Sequence, residues 1–190
     1  MISIIIPVRK DGSPEITLKS LAGQAPDCEI VIAWDTFACG ANWARNRGAE
    51  RARGKYLLFS DDDITWYPGA IATLHLCLML NPEAYAYGSY EMAGKIQCNV
   101  PFSAERLRRT NFISTMSLIR RECFPGFDEN IERLQDWDLW LTMLAAGHTG
   151  AYCGKLIFST KVRDGITENG RVSYEEARRI VSEKHKLGLT

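Results

Sequence analysis

The sequence predicts an α/β domain built on a mostly parallel sheet flanked by helices. Two short apolar runs rich in β-branched residues, "ISIIIP" (Ile2 to Pro7) and "CEIVIAW" (Cys28 to Trp34), read as strands buried on both faces. The segments between and after them carry helix signals, so strands and helices alternate. A third apolar run, "KYLLFS", ends in three consecutive carboxylates, Asp61, Asp62 and Asp63. In open α/β sheets ligands bind at the carboxyl ends of strands, and that is where these acids fall.

The elements follow in order. "SPEITLKSLAGQ" offers Ser13 as an N-cap, Pro14 at the first helical position, Glu15 as an acid in the first turn, and then apolar Ile16, Leu18 and Leu21. "GANWARNRGAERARG" predicts a second helix stopped by Gly54, and a third runs from near Pro68 to before Pro82. "YAYGSYEM" and "KIQCNV" read as a hairpin or meander, and "FISTMSLIRR" as a strand. Leu134, Leu141, Leu144 and Ala145 share a helical spacing, "AYCGKLIFSTKV" gives late strands, and Ser173 to Glu176 forms a capping box for a final amphipathic helix.

With 190 residues the chain predicts one domain. Its 23 basic and 23 acidic residues sum to no net charge, which argues against wholesale tracking of nucleic-acid phosphates or anionic lipid. No signal peptide or membrane-spanning run is apparent. Six cysteines without C-x-x-C pairing predict free thiols and a reduced, cytoplasmic protein. His75, His148 and His185 carry no ligand pattern. "SAERLRR" together with Arg120 and Arg121 is the one basic cluster to weigh for a polyanionic acceptor, against a solvated loop and strand end.

Two acidic clusters carry the candidate chemistry. The Asp61 to Asp63 triplet suits a hard divalent cation with a phosphate, or else caps the next helix. "ERLQDWDLW" sets Asp136 and Asp138 around Trp137 at a helix start, as a general base or as dipole partners.

The order "SIIIPV", "ARNRGAERARGKYLLFSDDD", "NFISTMSLIRRECFPGFDE" and "QDWDLWLTMLAAG" resembles family 2 glycosyltransferases over about residues 1 to 163. The resemblance implies the GT-A fold as a single Rossmann-like domain over 1–190, with a nucleotide-sugar-binding part at 1–100 and an acceptor-binding, catalytic-base part at 101–190. It implies that Asp61, Asp62 and Asp63 are the Asp-x-Asp motif, with Asp63 holding Mn2+ or Mg2+ and Asp61 beside the ribose. By the same resemblance Asp35 and Arg45 lie near the nucleotide base, Pro7, Val8 and Arg9 line the donor pocket, and Asp136 is the catalytic base. Trp137 and Gln135 fall on the acceptor side.

Three departures stand out. "WDTF" replaces the usual Asp-Asp-Gly-Ser, Gln135 stands for the family's glutamate, and "VRDG" puts Gly165 where a metal-binding histidine often sits, with Asp164 as a substitute. The implied reaction is inverting transfer of a sugar from a nucleotide-diphosphate donor, UDP-sugar by preference. The acceptor hydroxyl belongs to a glycan, a lipid-linked sugar, a small molecule or a modified nucleic-acid base. A nucleotidyltransferase and an inactive sugar-nucleotide-binding module are the alternatives.

Overall fold

The structure, a computed structural model, describes residues 1–24, 27–97, 100–160 and 172–188. Eight strands form one mixed sheet. They are β1 (Ile2–Arg9), β2 (Cys28–Asp35), β3 (Tyr56–Phe59), β4 (Thr65–Trp66), β5 (Tyr85–Met92), β6 (Lys95–Gln97), β7 (Leu118–Arg120) and β8 (Gly150–Thr160). The spatial order is β2-β1-β3-β7-β5-β8-β4, with β6 added on β5. Five strands, including every long one, run the same way; β4, β6 and β7, none longer than three residues, run against them.

Helices α1 (Glu15–Leu21), α2 (Ala41–Arg51), α3 (Ala70–Leu80), α4 (Ala104–Arg109), α5 (Gln135–Ala145) and α6 (Tyr174–Lys184) cover the sheet. Two apolar cores result. One packs Ile5, Leu57, Phe59 and Tyr85 against Ala49, Trp140 and Val181; the other packs Ile4, Ile6, Leu58 and Phe158 against Leu21, Ile71 and Leu74. Alternate residues of β1 and β3 thus serve opposite faces, which is why these strands read as unbroken apolar runs.

Several local expectations shift. Helix α1 starts at Glu15, with Pro14 in the cap position and the Ser13 hydroxyl 3.4 Å from the Glu15 amide, too far for a strong cap. Its inward face carries Thr17, wholly buried, while Ile16 is 48% exposed. Of "FISTMSLIRR" only Leu118–Arg120 pairs as a strand. The residues before it are held by side-chain turns such as Ser117 Oγ donating to the Ser114 carbonyl at 2.8 Å. The hairpin is present as β5 and β6, and the Ser173 hydroxyl caps α6 by accepting the Glu176 amide at 3.1 Å. Glu176 itself does not complete the box; its carboxylate binds Arg179 at 2.7 Å.

The basic pair Arg120 and Arg121 belongs to the fold. Arg120 donates to the carbonyls of Leu78 and Asn81 at the end of α3, at 2.6 and 3.0 Å. Arg121 does the same at the end of α2, to Ala49 at 2.9 Å and to Ala52. Two adjacent guanidinium groups therefore cap two different helix C-termini, where orphan carbonyls and the helix dipole favour positive charge.

Helix α2 lies close on β1 and β2 because Gly48 has no side chain. A Cβ there would overlap Cγ2 of Ile5 and approach Cβ of Ala33 to 3.3 Å. Gly48→Ala is expected to destabilise the protein by about 1–3 kcal/mol through overpacking, despite alanine's better helix propensity. Urea denaturation measures this; an unchanged or higher midpoint would contradict the close packing.

Candidate functional site

The site forms where β1, β2 and β3 end. Parallel register sets Arg9, the last residue of β1, beside Asp35, the last of β2, and Ile5 beside Phe59. Pro7 is half-buried, Val8 is core and Arg9 is exposed. The chain leaves β3 through Ser60 into the three aspartates.

A buried hydroxyl fixes that turn. Thr17 Oγ1 lies 2.8 Å from the Asp61 carbonyl and 3.0 Å from that of Ile64, and it accepts the Ile64 amide at 3.0 Å. The aspartates then diverge. Asp61 Oδ1 accepts from Arg45 Nη2 at 2.8 Å. The Asp62 carboxylate packs beside Gly12 in the loop after β1, so close that a Cβ on Gly12 would meet Oδ2 at 2.9 Å.

Arg45, on α2, is 3% exposed. Besides Asp61 it donates to Asn42 Oδ1 at 3.1 Å, and its guanidinium lies 5.3 Å from the Phe127 ring centre. Among the described residues its buried Nε has no hydrogen-bond partner. The same guanidinium is near enough for its charge to act on Asp136.

Asp35 holds the start of α2. Its two oxygens accept the amides of Cys39 and Gly40 at 2.8 and 2.7 Å. Each carboxylate oxygen retains a further lone pair. Trp34 and Phe37, the residues of the "WDTF" departure, are 46% and 81% exposed on either side of it.

Asp136 stands in the first turn of α5, which opens on Leu134 in a left-handed conformation, φ 61°. The carboxylate is half-buried and accepts its neighbour's amide, Trp137 N, at 2.9 Å. Burial raises its pKa above the ordinary carboxylate value; a hydrogen bond from the Asn111 side chain, the Trp137 amide and the Arg45 charge oppose that rise.

The neighbouring candidates separate by burial. Trp137, expected on the acceptor side, is instead core: it is 1% exposed and its indole donates to the Leu107 carbonyl at 2.6 Å, leaving no ring face for a sugar. Gln135 is half-buried at the helix start. Asp138 is 3% exposed and paired with Lys184 Nζ and His185 Nε2, each at 2.8 Å. His185, which carries no ligand pattern in the sequence, thus joins Lys184 on the buried Asp138 carboxylate. Lys184 also binds Asp128 at 2.7 Å, which holds the Asp128 carboxyl below its usual range.

Asp164 and Gly165, with the "VRDG" departure, and Cys98 lie outside the described residues. The other five cysteines are free thiols. Among the described residues no three or more of His, Cys, Asp and Glu gather as a metal cage, and no helix is long and apolar enough to cross a membrane.

Residues 8–95 match the model of glycosyl transferase family 2, a span that includes Asp35, Arg45 and the aspartate triplet. Over that span the chain is similar to family 2 glycosyltransferases. A curated relative, the Escherichia coli protein WfgD, "UDP-Glc:alpha-D-GlcNAc-diphosphoundecaprenol beta-1,3-glucosyltransferase", is 24% identical over 152 residues, 76% of this chain and 59% of WfgD. The chain therefore spans less than two thirds of that relative's length. Among solved structures, S. aureus TarS 1–349 in complex with UDP-GlcNAc superposes with a TM-score of 0.77 at 16% identity, covering 96% of this chain and 66% of TarS 1–349. The same protein with UDP gives 0.71 at 15% identity, covering 96% and 70%. The fold is the GT-A glycosyltransferase fold.

Thr17 is a site-supporting residue that pattern reading missed. Nothing in its local sequence marks it, because its partners lie 44 or more residues away. Thr17→Val keeps the shape but leaves the buried Ile64 amide unsatisfied. It is expected to cost about 1–3 kcal/mol, read by urea denaturation. A wild-type midpoint would show that the hydroxyl does not hold the turn.

Proposed function

We propose that the protein transfers a sugar from a UDP-sugar to an acceptor hydroxyl, with inversion at the anomeric carbon and the help of a divalent cation. The observation that carries this reading is that α2 ties to both acidic regions: Arg45 binds Asp61 at 2.8 Å, and Asn42, one turn before it, donates to the carbonyls of Asp128 and Ile131 in the loop leading to α5. In this reading a donor seated at the triplet and a base at the start of α5 share that frame.

Preference for uridine rests on Asp35 and Arg45 at the base-recognising positions and on a fold shared with TarS, which was solved with UDP and with UDP-GlcNAc. Glycan, lipid-linked sugar, small molecule and modified nucleic acid all remain within the acceptor class, since a fold does not dictate its substrate. WfgD, named for a lipid-linked acceptor, favours the second of these. A cytoplasmic setting goes with the unpaired cysteine pattern.

Manganese or magnesium is part of the proposal, and the residues fit it. Asp63 offers the hard oxygen donor such ions prefer, and one or two protein carboxylates commonly suffice when diphosphate oxygens and water complete the shell. When bound, the ion offsets negative charge on the departing diphosphate. The protein's own residues do the rest. Asp35 and Arg45 orient the nucleotide beside β2, and the Thr17 hydroxyl keeps Asp61 to Asp63 presented at the strand end. Asp136 accepts the proton of the acceptor hydroxyl as its oxygen attacks the anomeric carbon from the side opposite the leaving group. Burial strengthens Asp136 as a base, and the Arg45 charge opposes the rise in its pKa.

The division of labour predicts different losses. Asp63→Asn is expected to weaken manganese-dependent UDP binding and sugar transfer together. Asp136→Asn is expected to leave UDP affinity near wild type while lowering turnover about a hundredfold to ten-thousandfold. Calorimetry with UDP and manganese, and UDP release from UDP-glucose or UDP-GlcNAc, measure both. Near-normal turnover in Asp136→Asn would return Asp136 to a helix-start role.

A further inference from the structure

Along β5 the side of the sheet that carries α5 turns from apolar to polar. Alternation puts Tyr85, Tyr87, Ser89 and Glu91 on that side. Tyr85 and Tyr87 belong to the core that holds α5, with Tyr85 stacked on Trp140 at 4.4 Å. Ser89 follows, sharing a 2.6 Å hydrogen bond with the Tyr152 hydroxyl, and then Glu91, whose Oε2 accepts from the Tyr67 hydroxyl at 3.0 Å. Strand β8 is irregular opposite this stretch, but pairing resumes with Tyr90 beside Phe158 and Glu91 beside Ser159. Ser159 in turn has Thr65 of β4 beside it, and Phe158 has Trp66. The two faces differ sharply at this level. Tyr90, Phe158 and Trp66 pack into the core under α3, with Tyr90 stacked on Phe158 at 4.9 Å. Glu91, Ser159 and Thr65 instead line up oxygen-bearing side chains across three adjacent strands.

This row begins next to the aspartate triplet. Thr65 follows Asp63 by two residues, which limits their Cα separation to about 7 Å. Strands spaced about 4.8 Å apart carry the row on to Ser159 and then to Glu91, about 10 Å from Thr65. Helix α5 brings Asp136 to the same face and the same end. Asn42, near the start of α2, holds the Ile131 carbonyl at 2.9 Å just before α5 begins, and α5 then runs back to the turn where the Ala84 amide donates to the Thr149 carbonyl at 3.0 Å, at the start of β8. A carboxylate on a strand paired on both sides needs donors for its oxygens. Among the described residues Tyr67 is the only hydrogen-bond partner of the Glu91 carboxylate, so Oε1 keeps its accepting capacity. Thr65 is exposed, and Glu91, Tyr67 and Ser159 are half-buried, so a ligand reaches the row from solvent.

The chemistry of the row selects its ligand. A carboxylate accepts from several O–H groups at once, and serine and threonine hydroxyls both donate and accept, which matches the neighbouring hydroxyls of a sugar ring. The negative charge of Glu91 opposes a phosphate-rich strand at the same place. We infer that Glu91, oriented by Tyr67 and continued by Ser159 and Thr65, is the acceptor-binding row, and that the acceptor is a sugar whose adjacent hydroxyls it engages. This names the acceptor class of the reaction proposed above and rests on that reading.

The test uses p-nitrophenyl glycosides of glucose, galactose and N-acetylglucosamine as acceptors, with UDP-glucose or UDP-GlcNAc and manganese, and mass spectrometry of the products. Wild type is expected to extend at least one of them. Glu91→Gln keeps the shape and an acceptor for Tyr67; it is expected to raise the acceptor KM about tenfold to a hundredfold, as loss of a charged hydrogen bond implies. Thr65→Val, which loses a neutral one at an exposed position, is expected to raise it about threefold to tenfold. In both, kcat should move less than KM, the mark of lost binding rather than lost chemistry, and UDP affinity by calorimetry should stay within about twofold of wild type. An unchanged acceptor KM in Glu91→Gln contradicts the inference and leaves the row a structural feature of the sheet, whatever happens to thermal stability. A rise confined to the KM for the UDP-sugar places the row on the donor's sugar and also overturns it. Wild-type hydrolysis of the UDP-sugar without transfer to any glycoside, or transfer only to an oligonucleotide carrying 5-hydroxymethylcytosine, rejects a sugar acceptor while the glycosyltransferase reading stands. Neither hydrolysis nor transfer by the wild type removes that reading, and the inference with it.

Discussion

A single buried cation, Arg45, organises the functional end of this protein. Three consecutive carboxylates at the end of a core strand repel one another, and burying a guanidinium is costly unless it is paired. Each problem answers the other. Arg45, at 3% exposure, takes Asp61 in a 2.8 Å ion pair, and the aromatic ring of Phe127 covers the guanidinium at 5.3 Å. What remains of the triplet is then directed by the backbone turn that Thr17 holds. Breaking such a pair on one side leaves an uncompensated charge, so the arrangement stands or falls as a unit.

From Arg45 the constraint spreads through α2. One turn before it, Asn42 donates to the carbonyls of Asp128 and Ile131 at 2.8 and 2.9 Å; next to it, Asn46 exchanges hydrogen bonds with the Phe127 backbone at 2.9 Å in each direction. The loop that precedes α5 is thus stitched to the helix carrying Arg45. Asp128 in that loop and Asp138 in α5 both bind Lys184, and Asp138 also binds His185. Helix α6 thereby closes the circuit at the far side of α5. Asp136 stands in the first turn of the helix held in this frame. Its raised pKa follows from burial, which favours the neutral acid, while the Trp137 amide and the Arg45 charge oppose that rise.

Much of this was legible in the sequence, for identifiable reasons. The strands β1, β2 and β3 announce themselves because both faces are buried, so every residue must be apolar. The site at the end of β3 follows because carboxylates cannot continue such a strand. What stayed illegible depends on partners distant in sequence. Thr17 looks like an interruption in an amphipathic face until Asp61 and Ile64 are beside it. Arg120 and Arg121 look like a surface patch until the carbonyl ends of α2 and α3 are seen beneath them. Asp138 resembles Asp136 in the sequence, two residues apart around a tryptophan, yet one points into a buried ion cluster and the other toward the site. The hundred-degree step per residue separates them, and only the packing of α6 says which is which.

The claim that one guanidinium links donor binding to the state of the base is tested most directly by Arg45→Met. UDP affinity in manganese and the pH dependence of sugar-nucleotide hydrolysis are measured on the same preparation. If Arg45 serves both clusters, UDP binding weakens by about tenfold or more, as loss of a charged hydrogen bond implies. The acid limb of kcat/KM also moves to higher pH, because Asp136 keeps its burial and loses the charge that opposed it. Weaker UDP binding with an unmoved acid limb would contradict the account, confining Arg45 to the donor side and leaving the two acidic clusters independent.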